Sequence, residues 1–251
     1  MADTYDVAII GAGIAGTAVA RHISGGDARV VVLEARSDVG EGASRANQGV
    51  WHTGFDTYPG SPLSNFVRRG YDLVSEYAYR ANIPIEKTGA IAVAWDDAEV
   101  RMLGEMERRA HLNGYGTARM LSGQEVLDIE YAMGTGVLAG LEVPEEGLLC
   151  PWTTVLAFAT QAAVNGTEFR FNARVVGVRR LADLTWVLTL ANGDEVAARY
   201  IVNAAGVHVD DINEMFGHGE FAIVPRKGQY LVFDKLARPL FSHILMPAIL
   251  A

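Results

Sequence analysis

Three glycines and one glutamate near the N-terminus have the residue types and spacing of a phosphate-binding turn. Gly11, Gly13 and Gly16 form a G-x-G-x-x-G pattern, and Glu34 follows the last of them by 18 positions. The first glycine permits a tight turn, the second lets a pyrophosphate approach the backbone, and the third permits close helix packing. The glutamate is placed to accept hydrogen bonds from a ribose and would repel a 2′-phosphate. The pattern predicts a dinucleotide other than NADP and leaves FAD and NAD open.

The elements around these glycines must hold them at the end of a buried strand. Residues 7–10 predict a strand buried on both faces, and the apolar pattern from 14 to about 23 predicts a helix. Residues 29–33 predict a second buried strand, which Glu34 closes. The helix N-terminus would offer free N–H groups and a partial positive charge to a pyrophosphate. The location of this unit at the start of the chain favours FAD.

Composition excludes several classes of protein. The chain has 251 residues, 50% of them hydrophobic, which is enough for one large domain or two interleaved ones. The net charge of −9 argues against nucleic acid or an anionic membrane as partner, and no apolar run could span a bilayer. The acidic N-terminus is unlike a signal peptide, and the single cysteine, Cys150, cannot form an internal disulfide. These features predict a cytoplasmic protein. The sequence shows no cluster of metal ligands, so we predict no metal site.

A second segment, residues 42–54, combines small and polar residues with a histidine. Such a segment can lie flat against a planar ring and offer it backbone donors. The run S-R-A-N-Q-G-V-W-H-T-G, taken with the N-terminal glycines, resembles the D-amino-acid-oxidase-like FAD oxidoreductases. Within that family it is most similar to the branch with glycerol-3-phosphate oxidases and dehydrogenases and L-2-hydroxyglutarate oxidases. The resemblance implies FAD as the cofactor.

The resemblance also implies roles for individual residues. The family motif S-x-x-N-S-G-x-x-H-x-G would place Ser44, Asn47 and Gly49 beside the isoalloxazine ring and His52 over its reactive face. Gln48 replaces the usual serine, and this departure would alter a flavin contact. Further along, Val175 would meet the adenine through its backbone, and the run I-V-N-A-A-G would bring Gly206 under the cofactor. The residues predicted to bind the cofactor are Gly11, Gly13, Ile14, Ala15, Gly16, Glu34, Ala35, Arg36, Ser44, Arg45, Asn47, Gln48, Gly49, Val175, Ala205 and Gly206.

The fold that the resemblance implies is α/β. An FAD-binding Rossmann-like domain of the glutathione-reductase type would be interleaved with an α+β substrate domain. We expect FAD-binding parts at 1–54 and 151–219 and substrate-domain parts at 55–150 and 220–251. The C-terminal third of a typical family member is expected to be absent.

Residues 224–230 are expected to start a strand of the substrate domain. Arg226 and Lys227 would there attract a phosphate or carboxylate, or would be solvated charges at a strand start. Both interpretations stay open from the sequence alone.

The implied reaction is dehydrogenation of a CH–OH group of a small anion, such as glycerol 3-phosphate or a 2-hydroxy acid. Hydride would pass to the flavin and the hydroxyl proton to His52. Histidine suits this role because its unperturbed pKa, near 6.5, leaves it largely neutral at pH 7. An amine or amino-acid oxidase remains an alternative, as does a non-catalytic FAD-binding fragment or subunit that needs a partner chain. The electron acceptor (oxygen, a quinone or a partner protein), the presence of a partner subunit and self-association are left open.

Overall fold

The chain folds into thirteen strands and six α-helices within residues 3–249, which a computed structural model describes. The strands are β1 (Asp3–Ile10), β2 (Val30–Leu33), β3 (Val50–Trp51), β4 (Ile85–Glu86), β5 (Ala90–Ala94), β6 (Arg119–Ser122), β7 (Ala139–Val143), β8 (Gly147–Leu149), β9 (Glu168–Arg170), β10 (Val175–Arg180), β11 (Trp186–Leu190), β12 (Glu195–Asn203) and β13 (Ile244–Pro247). The helices are α1 (Ile14–Ile23), α2 (Pro62–Arg80), α3 (Asp97–Leu112), α4 (Gly123–Ile129), α5 (Pro151–Val164) and α6 (Val209–Met215). Two 3₁₀ turns add Gly206–His208 and Lys235–Leu240.

Two compact units share the chain. The first comprises Met1–Gln48 and Pro151–Gly228, and the second comprises Gly49–Cys150 and Gln229–Ala251. Each unit therefore uses two separate stretches of sequence. The assignment of one unit to FAD and of the other to the substrate stays a prediction.

A six-stranded mixed sheet forms the centre of the first unit, in the order β10-β11-β12-β1-β2-β9. β1 pairs in parallel with both β2 and β12, and the register places Ile10 beside Leu33 and Asn203. The ends of the three strands are joined by hydrogen bonds from the Gly11 N–H to the Leu33 carbonyl (2.8 Å) and from the Ala204 N–H to the Ile10 carbonyl (2.9 Å). The glycine turn, Glu34 and the residues after β12 consequently begin at one edge of the sheet, where α/β proteins bind ligands.

Both faces of β1 and β2 are covered, as the sequence predicts. Ile9 and Val32 pack on one face with Val155 and Ala159 of α5 and with α1. Ile10 and the other alternate residues pack on the opposite face against β10–β12 and α6. Residues 7–10 of β1 and 30–33 of β2 are all apolar, as expected where both faces of a strand are covered.

The second unit has two sheets of its own. A four-stranded sheet has the order β13-β5-β7-β6, and a small antiparallel sheet has the order β3-β8-β4. α3 covers one face of the larger sheet through Leu103 and Met106, and α4 contributes Val126 to the core on the other face. Asp96 caps α3 by accepting hydrogen bonds from two backbone N–H groups, and Ser122 with Glu125 forms a capping box at the start of α4.

The predicted strand at residues 224–230 is wrong. Residues 219–234 have no regular secondary structure, and the apolar side chains there are exposed, with Val224 82%, Leu231 87% and Val232 94% accessible. A strand requires a neighbouring backbone to pair with, and within residues 3–249 no strand pairs with this segment. The sequence of the segment alone could not supply that partner.

Candidate functional site

The glycine turn of the first unit is too tight for any side chain at two of its positions. Gly11 has a φ of +105°, and a β-carbon there would lie 2.4 Å from the Ala204 carbonyl oxygen. A β-carbon on Gly16 would lie 1.9 Å from the Gly11 carbonyl oxygen. Both contacts are with backbone, so α1 can approach β1 and the segment after β12 only if these residues are glycine.

Gly13 and Ser44 form the start of α1. Gly13 is the N-cap residue, with φ −73° and ψ −175°, and has no side chain to cap the helix. The Ser44 hydroxyl takes that role, since its Oγ accepts a hydrogen bond of 2.9 Å from the Ile14 N–H. A β-carbon on Gly13 would lie 3.1 Å from the same oxygen. The N-terminus of α1 therefore presents backbone and one hydroxyl, a surface that suits an anion.

The Glu34 carboxylate is fixed by two backbone groups. One oxygen accepts a hydrogen bond from the Ala12 N–H (2.7 Å) and the other from the Arg36 N–H (2.9 Å). A carboxylate oxygen has two lone pairs, so each oxygen can still accept a hydrogen bond from a hydroxyl. The arrangement fits the predicted ribose contact.

A cavity of about 210 Å³ opens over these groups, entirely within the first unit. The predicted cofactor residues that line it are Gly11, Gly13, Glu34, Ala35, Arg36, Ser44, Val175, Ala205 and Gly206. They come from the ends of β1, β2 and β12, the start of β10 and the loop after β2. The donors, the acid and the missing β-carbons together fit a dinucleotide.

The other predicted cofactor residues do not line this cavity. They are Ile14, Ala15, Gly16, Arg45, Asn47, Gln48 and Gly49. Gly16 packs α1 against the turn, and Arg45 pairs with Asp38 at 2.7 Å and stacks on the Trp152 ring. The Asn47 amide donates to the carbonyl oxygens of Ala43 and Ser44. Gly49 belongs to the second unit.

Sequence reasoning missed part of the cavity wall. The additional lining residues are Ile10, Leu33, Glu41, Gly42, Ala43, Ala173, Arg174, Ala204, Val207, His208 and Ile212. Most adjoin a predicted residue in the chain, so that adjacency alone would have found them. Glu41, Gly42, Ala173, His208 and Ile212 adjoin none of the predicted residues, so adjacency would not have found them.

His52 occupies a polar cluster in the second unit. It follows β3, whose antiparallel pairing sets Trp51 opposite Gly147 and so brings the next residues, His52 and Glu146, together. His52 Nδ1 lies 3.0 and 3.1 Å from the two Glu146 carboxylate oxygens. Nε2 lies 3.2 Å from Asp56 Oδ1. The imidazole therefore sits between two carboxylates.

The protonation state of His52 differs from the sequence-based expectation. Burial lowers its pKa, but contact with the carboxylates of Asp56 and Glu146 outweighs that effect and raises the pKa to about 10. The expectation of a largely neutral imidazole at pH 7 is wrong for this arrangement, because the fold brings both Asp56, four positions away, and Glu146, 94 positions away, against the ring. At pH 7 the imidazole carries a proton on both nitrogens.

Arg226 and Lys227 are both exposed, in the irregular segment before residue 234. Neither residue lines the cavity over the glycine turn. Their predicted contact with an anionic substrate remains a prediction. Within the described part of the chain, no helix has the length and apolar character needed to cross a membrane.

The parallel β1–β2–β12 core, the glycine turn and the fixed acid define a dinucleotide-binding α/β protein. Among known families, residues 6–249 match the DAO family, described as FAD dependent oxidoreductase. The chain belongs to this family, which confirms the predicted fold class and FAD as the family's cofactor.

Several proteins with named activities are similar to the chain. A glycerol 3-phosphate dehydrogenase of Caloramator mitchellensis is 30% identical over 241 residues, covering 96% of this chain and 50% of the relative. The mitochondrial L-2-hydroxyglutarate dehydrogenase of Homo sapiens is 26% identical, covering 91% and 52%. The solved FAD-bound L-alpha-glycerophosphate oxidase of Mycoplasma pneumoniae has a TM-score of 0.80 and 25% identity, covering 85% and 57%. The chain thus spans about half the length of the curated relatives it matches.

Proposed function

We propose that this protein oxidises the CH–OH group of a small anionic substrate, either glycerol 3-phosphate or a 2-hydroxy acid, with FAD as the cofactor. The observation that carries the proposal is the similarity to relatives named for such substrates: glycerol 3-phosphate and L-2-hydroxyglutarate both carry the hydrogen to be removed on a carbon bearing a hydroxyl. When bound, FAD supplies the acceptor for the hydride. The Gly11–Gly13 turn would hold the pyrophosphate, and Glu34 the ribose.

The proton of the substrate hydroxyl needs an acceptor on the protein, and we assign His52 to it. An imidazole accepts a proton only when one of its nitrogens is unprotonated. With a pKa of about 10, roughly one His52 in a thousand is neutral at pH 7. The reaction should therefore quicken about tenfold for each pH unit between 7 and 9 and level off near 10.

Three finer features belong to the same proposal. Arg226 and Lys227 would attract the phosphate or carboxylate of the substrate, and their exposure leaves them free to move toward an anion. The protein would work in the cytoplasm. Its reduced flavin would pass electrons to oxygen, a quinone or a partner protein, which a comparison of reoxidation rates with each acceptor would distinguish.

The test is anaerobic reduction of bound FAD by a panel of substrates. The chain is loaded with FAD, and the loss of flavin absorbance is followed with glycerol 3-phosphate, L-2-hydroxyglutarate, D-2-hydroxyglutarate and glycine. The proposal expects one of the hydroxyl substrates to bleach the flavin. Bleaching by glycine alone would support an amine oxidase instead.

A complementary result would support the non-catalytic alternative. If the chain binds FAD and no substrate of the panel bleaches it, the reaction requires something that this chain does not provide. Addition of a partner chain that restores bleaching would then favour an FAD-binding subunit.

The matched control for the substrate panel is Gly13→Ala, which should lower FAD loading and leave the choice of substrate unchanged.

A further inference from the structure

We propose that Glu146 and Asp56 are positioning residues for His52: Glu146 fixes the imidazole through Nδ1, and Asp56 holds the place opposite Nε2 that a substrate oxygen must take. The inference rests on the proposed function only for the role of His52. The placement of the two carboxylates around the imidazole stands on the geometry of the second unit alone.

Glu146 is built to hold a fixed position. Its carboxylate is fully buried, and one oxygen accepts hydrogen bonds from the Thr53 N–H (2.7 Å) and the Thr53 hydroxyl (2.5 Å). His52 Nδ1 approaches both oxygens of the same carboxylate. A buried carboxylate with these partners keeps a proton on Nδ1, so that Nε2 is the nitrogen left for chemistry.

The loop that carries His52 and Asp56 is clamped by side chains from a distant part of the chain. The Asn113 amide donates to the carbonyl oxygens of Gly54, Phe55 and Thr57, at 2.9 to 3.2 Å. Arg109 donates to the Asp56 carbonyl oxygen (3.0 Å), and the Tyr115 hydroxyl to the Thr53 carbonyl oxygen (2.6 Å). The carbonyls of the loop thus receive hydrogen bonds from α3 and the residues after it. Such a clamp fixes the distance between His52 and Asp56.

Asp56 differs from Glu146 in one respect. Its Oδ1 is buried and has no hydrogen-bond partner among residues 3–249, although it lies 3.2 Å from His52 Nε2. The two atoms are close enough for an ion pair, but their contact does not have the geometry of a hydrogen bond. Because a poorly aligned contact is weaker than a hydrogen bond, a substrate hydroxyl can displace Asp56 from Nε2. Glu146, with its full set of partners, would stay in place.

Several charged and titratable groups surround the His52 imidazole and determine its protonation state. Asp56 follows it on the same loop, Glu146 faces it from the turn between β7 and β8, and Arg109 reaches the loop from α3. Tyr115 bonds the backbone next to His52, and the Phe55 ring meets the imidazole edge-on at 5.9 Å. Two carboxylates contact the ring directly, whereas Arg109 donates to the Asp56 carbonyl oxygen and pairs with the Glu105 carboxylate. The imidazolium form is therefore stabilised, and removal of either carboxylate should favour the neutral form.

The test is an NMR titration of His52 in the full chain, without FAD or substrate. The chain is labelled with ¹⁵N-histidine, and the His52 signals are assigned by their loss in His52→Gln. Titrations compare the wild type with Glu146→Gln and Asp56→Asn. Glu145→Gln is the matched control, because Glu145 is the neighbouring acid and contacts Thr117 and Tyr71 instead of His52.

The inference expects His52 to remain protonated in the wild type well above pH 8. Each of the two variants should lower its midpoint by at least one pH unit, and Glu145→Gln should leave it unchanged. In Glu146→Gln the neutral form should also lose its preference for a proton on Nδ1, a change that mere loosening of the fold would not produce. If Glu146→Gln does not fold, Asp56→Asn alone decides the question.

A wild-type midpoint near 6.5, or equal midpoints in all variants, would overturn the inference. These outcomes are independent of the substrate panel, because the titration uses neither flavin nor substrate. Failure of the panel with the expected titration would reject only the proposed reaction.

Discussion

Substitution by alanine at two glycines of the turn, three residues apart, should affect different properties. Gly16→Ala should lower the stability of the fold, and Gly13→Ala should weaken the binding of FAD. Gly16→Ala places a β-carbon 1.9 Å from the Gly11 carbonyl oxygen, whereas Gly13→Ala places one 3.1 Å from the Ser44 hydroxyl. An ordinary van der Waals contact needs at least 3.4 Å. At Gly16 the backbone must therefore move by more than 1 Å, and at Gly13 a flexible side chain must move by a few tenths.

The energies follow from these distances. Overpacking of a rigid site costs about 1–3 kcal/mol, and the backbone contact at Gly16 puts Gly16→Ala at the upper end. For a chain of this size, about 3 kcal/mol lowers the midpoint of thermal unfolding by roughly 6–12 °C. Gly13→Ala should cost about 1 kcal/mol or less, since its backbone angles suit alanine and only a good N-cap residue is lost.

Two assays separate the effects. Thermal unfolding followed by circular dichroism, without FAD, should show the large loss for Gly16→Ala and almost none for Gly13→Ala. A fluorescence titration with FAD should then show weaker binding, by at least tenfold, in Gly13→Ala, because the methyl group occupies the path of the pyrophosphate. Equal midpoints for Gly16→Ala and the wild type would refute the account of the turn.

Three further predictions concern the second unit. Asp96→Ala removes the N-cap of α3 and should cost about 1 kcal/mol, read as a shift in the unfolding midpoint, with Asp97→Ala as the exposed control. Glu130 is buried, and although burial raises its pKa, hydrogen bonds from Ser242 and His243 outweigh this and lower the pKa below its usual value. These contacts should persist above pH 4.5 and be lost as pH falls through the lowered pKa, which hydrogen exchange at Ser242 and His243 would detect. His52, whose pKa is raised, should stabilise the fold fully below pH 6.5 and progressively less up to about pH 10, so that His52→Gln flattens the dependence of the unfolding free energy on pH in this range.

Much of the first unit could be predicted because its signals are local. The signals are the apolar run before the glycines, the turn itself and the acid after β2, all within about thirty residues. In each case the local residue types indicate the local conformation. The helix predicted from residue 14 to about 23 has the observed bounds Ile14–Ile23. The charged helix Asp97–Leu112 likewise begins and ends as its sequence indicates. Capping residues and the spacing of apolar residues are enough to predict a helix, because its conformation depends mainly on residues close in sequence.

Features that depend on distant residues could not be predicted. Glu146 lies 94 positions from His52, and only the pairing of β3 with β8 brings them together. Asp56, four positions along the chain, also raises the pKa of His52, but the contact of either carboxylate with the imidazole is set by the fold and not by the local sequence. The prediction of a strand at residues 224–230 was wrong for the same physical reason, because a strand requires a partner strand that the local sequence does not specify.

The central claim is most directly tested by stopped-flow reduction of the FAD-loaded chain by its best hydroxyl substrate, in the wild type and in His52→Gln, from pH 6 to pH 10. The account predicts a wild-type rate that rises about tenfold per pH unit toward a plateau near pH 10. His52→Gln should be slower by about 10²- to 10⁴-fold at the plateau, without the dependence on pH and with unchanged FAD content. Equal rates in the two proteins across this range would contradict the assignment of His52 as the proton acceptor.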